Sequence, residues 1–95
     1  MEIMEIALRY INEQPEEVQL AAVQQDGYII VHIKNPSEEV QLAAVTQIWK
    51  AIIYIKNPSE KVQLATVIQD GWAIKYINNP SDRVRVLAEL CKEYV

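Results

Sequence analysis

The 95-residue chain has little of what builds a catalytic or metal site. Cys91 is the single cysteine and His32 the single histidine, so neither an internal disulfide nor a metal cluster can be assembled from them. There is no glycine-rich phosphate loop, and the only serines are Ser37, Ser59 and Ser81. The sequence therefore predicts a protein that is not an enzyme, with no catalytic residues, no metal and no cofactor.

Basic residues at the start and long apolar runs are also lacking. Glu2 and Glu5 stand where an export signal carries basic residues, and no apolar run long enough to span a bilayer follows them. The single cysteine agrees with a reducing compartment. We expect a protein of the cytoplasm, or of the host cytoplasm if a virus encodes it, with no membrane partner.

The net charge of −4 is unevenly distributed. Residues 1–48 contain eight acids and two bases, whereas residues 49–95 contain five acids and seven bases. Phosphate binding depends on many clustered Lys and Arg side chains, so no nucleic-acid partner is expected. The acidic first half predicts a partner with a basic surface, and the alternative is that these charges are simply solvated.

What the chain does contain is a segment repeated every 22 residues. The copies begin at Val18, Val40, Val62 and Val84 and read VQLAAVQ, VQLAAVT, VQLATVI and VRVLAEL. Residues 13–34, 35–56 and 57–78 form three units, preceded by a half unit (1–12) and followed by a partial unit with a capping helix (79–95).

Repeats of this length form stacked arrays, because each unit can bury its apolar face only against its neighbours. The length of the chain allows one small domain with one continuous core. We predict an all-α fold, a short α-solenoid of tandem 22-residue helix-turn-helix units with N- and C-terminal capping helices.

Each later unit opens with a signal for a helix start. In the second unit Pro36 restricts Asn35, so the preceding helix is expected to end near Lys34. Ser37 is placed to cap the next helix, and the two glutamates after it put negative charge at the positive end of the helix dipole.

A second, shorter helix is predicted in each unit, from Tyr28 to Lys34 and at the equivalent places. In two units an Asp-Gly pair precedes it, and Gly27 and Gly71 are predicted to take the left-handed conformation that closes a helix. At two turns the short helix needs packing against adjacent units. Its core side is predicted from two sets of equivalent positions three residues apart: Leu8, Ile30, Ile52 and Ile74, and Ile11, Ile33, Ile55 and Ile77.

The repeat resembles an uncharacterised family of short tandem helical repeats, a domain of unknown function. The matching segment reads NPSEEVQLAAV, then a glycine followed by an aromatic residue, then AIKYI and another NP. The resemblance covers nearly the whole chain and implies an all-helical array like those of bacterial, amoebal and viral proteins. It implies no catalytic residues.

The first and last units depart from this pattern. The first has Glu13-Gln14-Pro15 in place of Asn-Pro-Ser, although proline still suits a helix start. The last reads VRVLAELCKEYV, which predicts one longer helix with Cys91 as a core thiol. The core face of that helix is predicted to carry Val84, Leu87, Cys91 and Tyr94.

One set of polar residues recurs on the otherwise apolar first helices. Gln19, Gln41 and Gln63, with Arg85 in the last unit, occupy equivalent positions. We expect each amide to satisfy backbone groups at the turn of a neighbouring unit, because buried polar groups need partners. A ladder that binds a ligand is the alternative.

The break in the repeat at the second unit predicts the site. Ile48-Trp49 stands where the other units have Asp-Gly, and Val31 and Ile53 are the two apolar members of a set whose outer members are charged. These residues predict an exposed apolar partner site, with His32 and Tyr54 on its flank. The alternative is that Ile48 and Trp49 turn inward and continue the helix, and that His32 simply replaces a tyrosine.

The leading functional prediction is a non-enzymatic protein–protein interaction module with a central apolar patch and an acidic N-terminal half. One alternative is a small acidic inhibitor, from a phage or a mobile element, of a bacterial defence protein. Another is a self-associating structural repeat protein, a homo-oligomer in which the acidic and basic halves meet head to tail. The identity of a protein partner is not encoded in the repeat.

Overall fold

The structure, a computed structural model, describes residues 2–92, and of residues 2–5, 7 and 8 the backbone alone. The described residues form eight helices and no strand, so the predicted all-α class is confirmed. The α-helices are α1 (Glu2–Glu13), α2 (Glu16–Gln25), α3 (Glu38–Gln47), α4 (Glu60–Val67) and α5 (Asp82–Lys92). Between them lie three 3-10 helices: η1 (Gly27–His32), η2 (Trp49–Tyr54) and η3 (Gly71–Tyr76).

The helices pack only on close neighbours. Helices α2 to α5 contact one another in succession, and so do η1 to η3. Within the described residues, no helix contacts one that lies more than one unit away along the chain. The result is an elongated molecule with principal extents of 45 × 22 × 21 Å.

The core runs between the α-helices and the 3-10 helices. Its fully buried side chains recur at the same two positions of the α-helices: Val40, Val62 and Val84, and Val23, Val45 and Val67. The 3-10 helices add Ile30 and Ile52, each 2% exposed. Burying one such side chain contributes about 1.5–3 kcal/mol, so each unit draws most of its stability from this packing.

The short second helix of each unit is a 3-10 helix and ends earlier than expected, at His32 and not at Lys34. A 3-10 helix has three residues per turn, so residues three apart lie on one side. Gly27, Ile30 and Ile33 are buried, whereas Val31 is exposed. The spacing of three between the apolar positions is therefore the period of the helix itself.

The left-handed residues of the fold are asparagines, so the prediction for the glycines was wrong. Asn35, Asn57 and Asn79 have φ angles of 51–52°, and neither glycine has a positive φ. Asparagine enters this region at lower cost than most residues with a side chain. The chain therefore turns between units at the residue before Pro36, Pro58 and Pro80.

Serine caps join consecutive units. As predicted, the hydroxyls of Ser37, Ser59 and Ser81 accept from the amide three residues on, at 3.2–3.3 Å. Each hydroxyl also donates to a glutamate of the preceding unit: Ser59 to Glu38 and Ser81 to Glu60, both at 2.6 Å, and Ser37 to Glu16. The first glutamate of each helix thus bonds the cap of the next helix.

The outer side of α5 differs from the other α-helices. Glu89 is exposed and occupies the position at which Val23, Val45 and Val67 are fully buried. Arg85, also exposed, replaces the repeated glutamine and pairs with Asp82. These charges are what a helix needs when its outer side faces water.

The predicted core face of α5 is only partly buried. Val84 is fully buried, whereas Leu87 and Cys91 are partly exposed. Tyr94, the fourth predicted member, lies outside the described residues.

We predict that Glu38→Ala lowers the free energy of unfolding more than Glu39→Ala, by about 0.5–1 kcal/mol. Both glutamates lie in the first turn of α3, but only Glu38 accepts a hydrogen bond from the next unit. Urea denaturation of the two variants measures the difference. Equal losses would show that the bond between units adds nothing to the dipole effect.

Candidate protein-interaction surface

The structure divides the six predicted site residues into two groups. Val31, Ile53 and Tyr54 are 48%, 50% and 48% exposed, and His32 is also exposed. All four lie on the 3-10 helices η1 and η2. Ile48 and Trp49 are partly buried and pack against the core.

Ile48 stands where the other units have a capping aspartate, and its φ angle is nearly the same as theirs. Asp26 and Asp70 have φ angles of −152° and −158°, and Ile48 has −152°. The aspartates accept from the amide two residues on, a bond that Ile48 cannot make. The helix still breaks at this point, so the continued helix of the alternative was wrong, whereas Ile48 and Trp49 do turn inward as that alternative had it.

The two glycines stand where the backbone of the next unit lies close to them. A Cβ on Gly27 would lie 2.5 Å from the main-chain oxygen of Ala44, and one on Gly71 would lie 2.1 Å from that of Ala88. The amide of Gly27 also donates to the side chain of Gln47 in the next unit, at 2.7 Å. Close approach of two backbones, and not a left-handed turn, is what requires glycine here.

Trp49 occupies the equivalent position in the second unit and has a large side chain in that space. The helix that η2 faces, α4, ends at Val67, two residues earlier in the repeat than α2 and α3. Thr66 replaces the alanine of the other units, and its hydroxyl donates back to the oxygen of Val62 at 2.8 Å. Such back-bonding weakens a helix slightly. The early end of α4 and the large Trp49 side chain thus occur in the same pair of units.

Aromatic rings connect the 3-10 helices of consecutive units. Tyr28 of η1 meets Tyr54 of η2 edge to face, with ring centroids 6.1 Å apart. Trp49 of η2 lies 6.2 Å from Tyr76 of η3. Two of these rings remain about half exposed, Tyr54 at 48% and Tyr76 at 44%. Tyrosine and tryptophan are frequent energetic anchors of protein interfaces.

A groove of about 590 Å³ separates η1 from η2. Val31 and Tyr54 line it together with Lys34, Lys56 and Pro36. A second groove of about 650 Å³ lies between α1 and η1. Val31 and His32 line that groove beside Arg9 and Glu13, so Val31 lies between the two grooves.

Acidic and basic residues are distributed unevenly between the two kinds of helix, as well as between the two halves of the sequence. Segments 27–37, 49–59 and 71–81, which contain the 3-10 helices, hold no Asp or Glu. They hold four lysines: Lys34, Lys50, Lys56 and Lys75. The acids of the described residues lie on the α-helices, except for Asp26 and Asp70, which cap η1 and η3. Lysine is therefore the charged residue of these segments, whereas the acids next to them are Asp26, which caps η1, and Glu13, which lines the second groove.

The repeated glutamines bond backbone groups as predicted, but Gln41 and Gln63 do so within their own unit, so the prediction of a neighbouring unit's turn was wrong for these two. Gln41 donates to the oxygen of Pro36 at 3.0 Å, and Gln63 to that of Pro58 at 2.9 Å. Only Gln19 reaches back into the preceding unit, where it donates to Ile11 at 3.0 Å. These bonds hold the turn in which each unit begins.

Sequence reasoning missed a second exposed apolar area, on α4 and α5. Val86 and Leu90 are 61% and 55% exposed and line a groove of about 530 Å³ with Leu64 and Leu87. In the preceding units the position of Val86 holds a leucine that is partly buried. Exposure at that position was not visible in the repeat.

No protein family matches the chain, and neither curated proteins nor solved structures give a match. The resemblance to a repeat family of unknown function thus stays a prediction. In the part of the chain that the structure describes, no helix is long and apolar enough to cross a membrane. The same residues contain no group of His, Cys, Asp and Glu placed to hold a metal ion.

We predict that Gly71→Ala lowers the free energy of unfolding by about 1–3 kcal/mol, because the new methyl group meets the backbone of α5. Backbone entropy alone would favour alanine, since φ is not positive there. Thermal unfolding measures the change, with Lys75→Ala as the control at an exposed position of the same helix. A Gly71→Ala protein as stable as wild type would contradict the close approach.

Proposed function

We propose that the protein is a protein–protein interaction module, a short α-solenoid whose contact surface is the side formed by the 3-10 helices. The observation that carries this proposal is the row of exposed apolar and aromatic side chains on consecutive 3-10 helices. Val31, Ile53 and Tyr54 form its centre, with Tyr28 and Tyr76 beside them.

The dimensions of the molecule support such a surface. A side 45 Å long and 22 Å wide accommodates a standard interface of about 800 Å² per partner. The exposed apolar residues lie on elements fixed by buried Ile30 and Ile52, so little order has to be gained on binding. Ile48 and Trp49 take part by supporting this side from within.

The apolar area on α4 and α5 is the competing surface. It is aliphatic and involves only two helices, whereas the 3-10 side spans three units and offers aromatic anchors. We therefore place the partner on the 3-10 side. If the partner is a bacterial defence protein, the protein is the inhibitor considered above; with any other partner it is a general adaptor.

We predict that the double variant Val31→Glu/Ile53→Glu loses the partner while keeping the fold. Both side chains are about half exposed, so the substitutions place charge on the surface and not in the core. Affinity capture from the producing cells, followed by quantitative mass spectrometry, compares the proteins retained by the variant and by wild type. Circular dichroism verifies that the helices persist.

Val86→Glu is the control, because it places a glutamate at an exposed valine of the competing surface. We expect this variant to retain the partner. Loss with Val86→Glu and retention with Val31→Glu/Ile53→Glu would move the site to α5. A sedimentation experiment that found only homo-oligomers, disrupted by the double variant, would support self-association.

A further inference from the structure

The side-chain amide of Asn12 in α1 forms two hydrogen bonds with the main chain at the end of η1. The carboxamide of Asn12 donates to the main-chain oxygen of His32 at 2.8 Å and accepts from the amide of Lys34 at 2.7 Å. Between these two residues Ile33 is extended, with φ −97° and ψ 122°. One residue of a parallel strand makes the same pair of bonds to a neighbouring strand. Asn12 thus takes the place of a peptide residue.

One unit later the main chain has the same extended conformation, but no described side chain forms the corresponding pair of hydrogen bonds. Ile55 is extended like Ile33, with φ −106° and ψ 121°. The residue equivalent to Asn12 is Lys34, whose ammonium group can donate but cannot accept. No described residue accepts from the main-chain amide of Lys56, and none donates to the main-chain oxygen of Tyr54. Both residues, and Ile55 between them, line the groove between η1 and η2.

The side chains around these two groups favour an acidic and partly apolar ligand. Lys34 and Lys56 line the groove, and within the described residues neither forms an ion pair. Val31, Tyr54 and Pro36 supply its apolar surface. An unpaired cation beside an apolar wall attracts a carboxylate that carries an apolar neighbour.

We propose that the groove between η1 and η2 binds an extended peptide segment of a partner protein, acidic and apolar in composition. One residue of the segment bonds the oxygen of Tyr54 and the amide of Lys56, as Asn12 bonds the equivalent groups one unit earlier. Its acidic side chains face Lys34 and Lys56, and an apolar side chain packs on Val31 and Tyr54. This inference rests on the proposed function and specifies the partner for that surface.

A peptide fits these observations better than a nucleic acid does. The two open hydrogen-bond groups are a main-chain donor and a main-chain acceptor separated by one residue, which is the spacing of an extended peptide. The groove is lined by aliphatic Val31 and Pro36 as well as by Tyr54. The net charge of −4 disfavours a phosphate backbone over most of the molecule.

The first test selects ligands from a random-peptide library displayed on phage. We expect the peptides enriched by the wild-type protein to combine acidic and apolar residues. A fluorescein-labelled synthetic copy of the most enriched peptide should bind roughly ten-fold or more weakly to Lys34→Glu/Lys56→Glu at low salt. Lys61→Glu/Arg83→Glu changes the net charge equally at exposed positions of α4 and α5, and should bind like wild type.

The second test examines the hydrogen-bond groups apart from the charge. Lys34→Ala and Lys34→Asn remove the same charge. Only asparagine can form with Tyr54 and Lys56 the pair of hydrogen bonds that Asn12 forms with His32 and Lys34. We expect the labelled peptide to bind Lys34→Asn at least about three-fold more weakly than Lys34→Ala, and Lys34→Asn to melt at the higher temperature. Equal binding to the two variants would overturn the main-chain part of the proposal.

The outcomes separate this inference from the proposed function. Enriched peptides that lack acids, or that bind Lys34→Glu/Lys56→Glu normally while losing affinity for Val31→Glu/Ile53→Glu, would overturn the inference and leave an interaction surface. Peptides that bind all variants alike would contradict both. Displacement of the labelled peptide by a single-stranded oligonucleotide with higher affinity would assign the groove to nucleic acid and overturn the inference.

Discussion

Each unit of this chain can cover its apolar side only with the units next to it, 22 residues away in sequence. The rest of the structure depends on this constraint. Fully buried side chains such as Val45 contribute about 1.5–3 kcal/mol each, whereas a hydrogen bond such as that between Ser59 and Glu38 contributes about 1 kcal/mol. Packing therefore holds the units together, and the hydrogen bonds select their register.

The same constraint leaves two sides of different chemistry. The α-helices direct acids to their first turns, where the helix dipole and the serine caps of the next unit stabilise them. The 3-10 helices are six residues long, and their outward-facing residues stay exposed. The segments that contain these helices carry lysines but no acids. An exposed side that carries apolar, aromatic and lysine side chains thus lies next to the buried core.

The features that recur in the sequence were predictable, because one physical role explains each of them. The serine caps and the buried isoleucines Ile30 and Ile52 follow from propensity and spacing. The spacing of three in the short helices fits the 3-10 period, but a 3-10 helix was not predicted from it. The close approach at Gly27 was not predictable, because a sequence shows that glycine is needed but not whether the cause is φ or a neighbouring backbone. The left-handed conformation of Asn35 was not predictable from the sequence either.

The candidate site was only partly accessible to sequence reasoning. Exposure of Val31 and Ile53 followed from their charged counterparts in the outer units, whereas the inward packing of Ile48 and Trp49 was one of two alternatives that the sequence left open. The role of Lys34 was hidden, because nothing in the sequence reveals that Asn12, at the equivalent position, bonds the next unit.

The central claim is that the bonding between units repeats at the serine caps but not at the groove between η1 and η2. Amide hydrogen exchange followed by NMR tests this claim directly, with rates corrected for the intrinsic exchange of each residue. The account predicts that the amide of Lys34, bonded to Asn12, is protected roughly ten-fold or more relative to the amide of Lys56. Equal protection of the two amides would show that the groove is closed like its neighbour and would contradict the account.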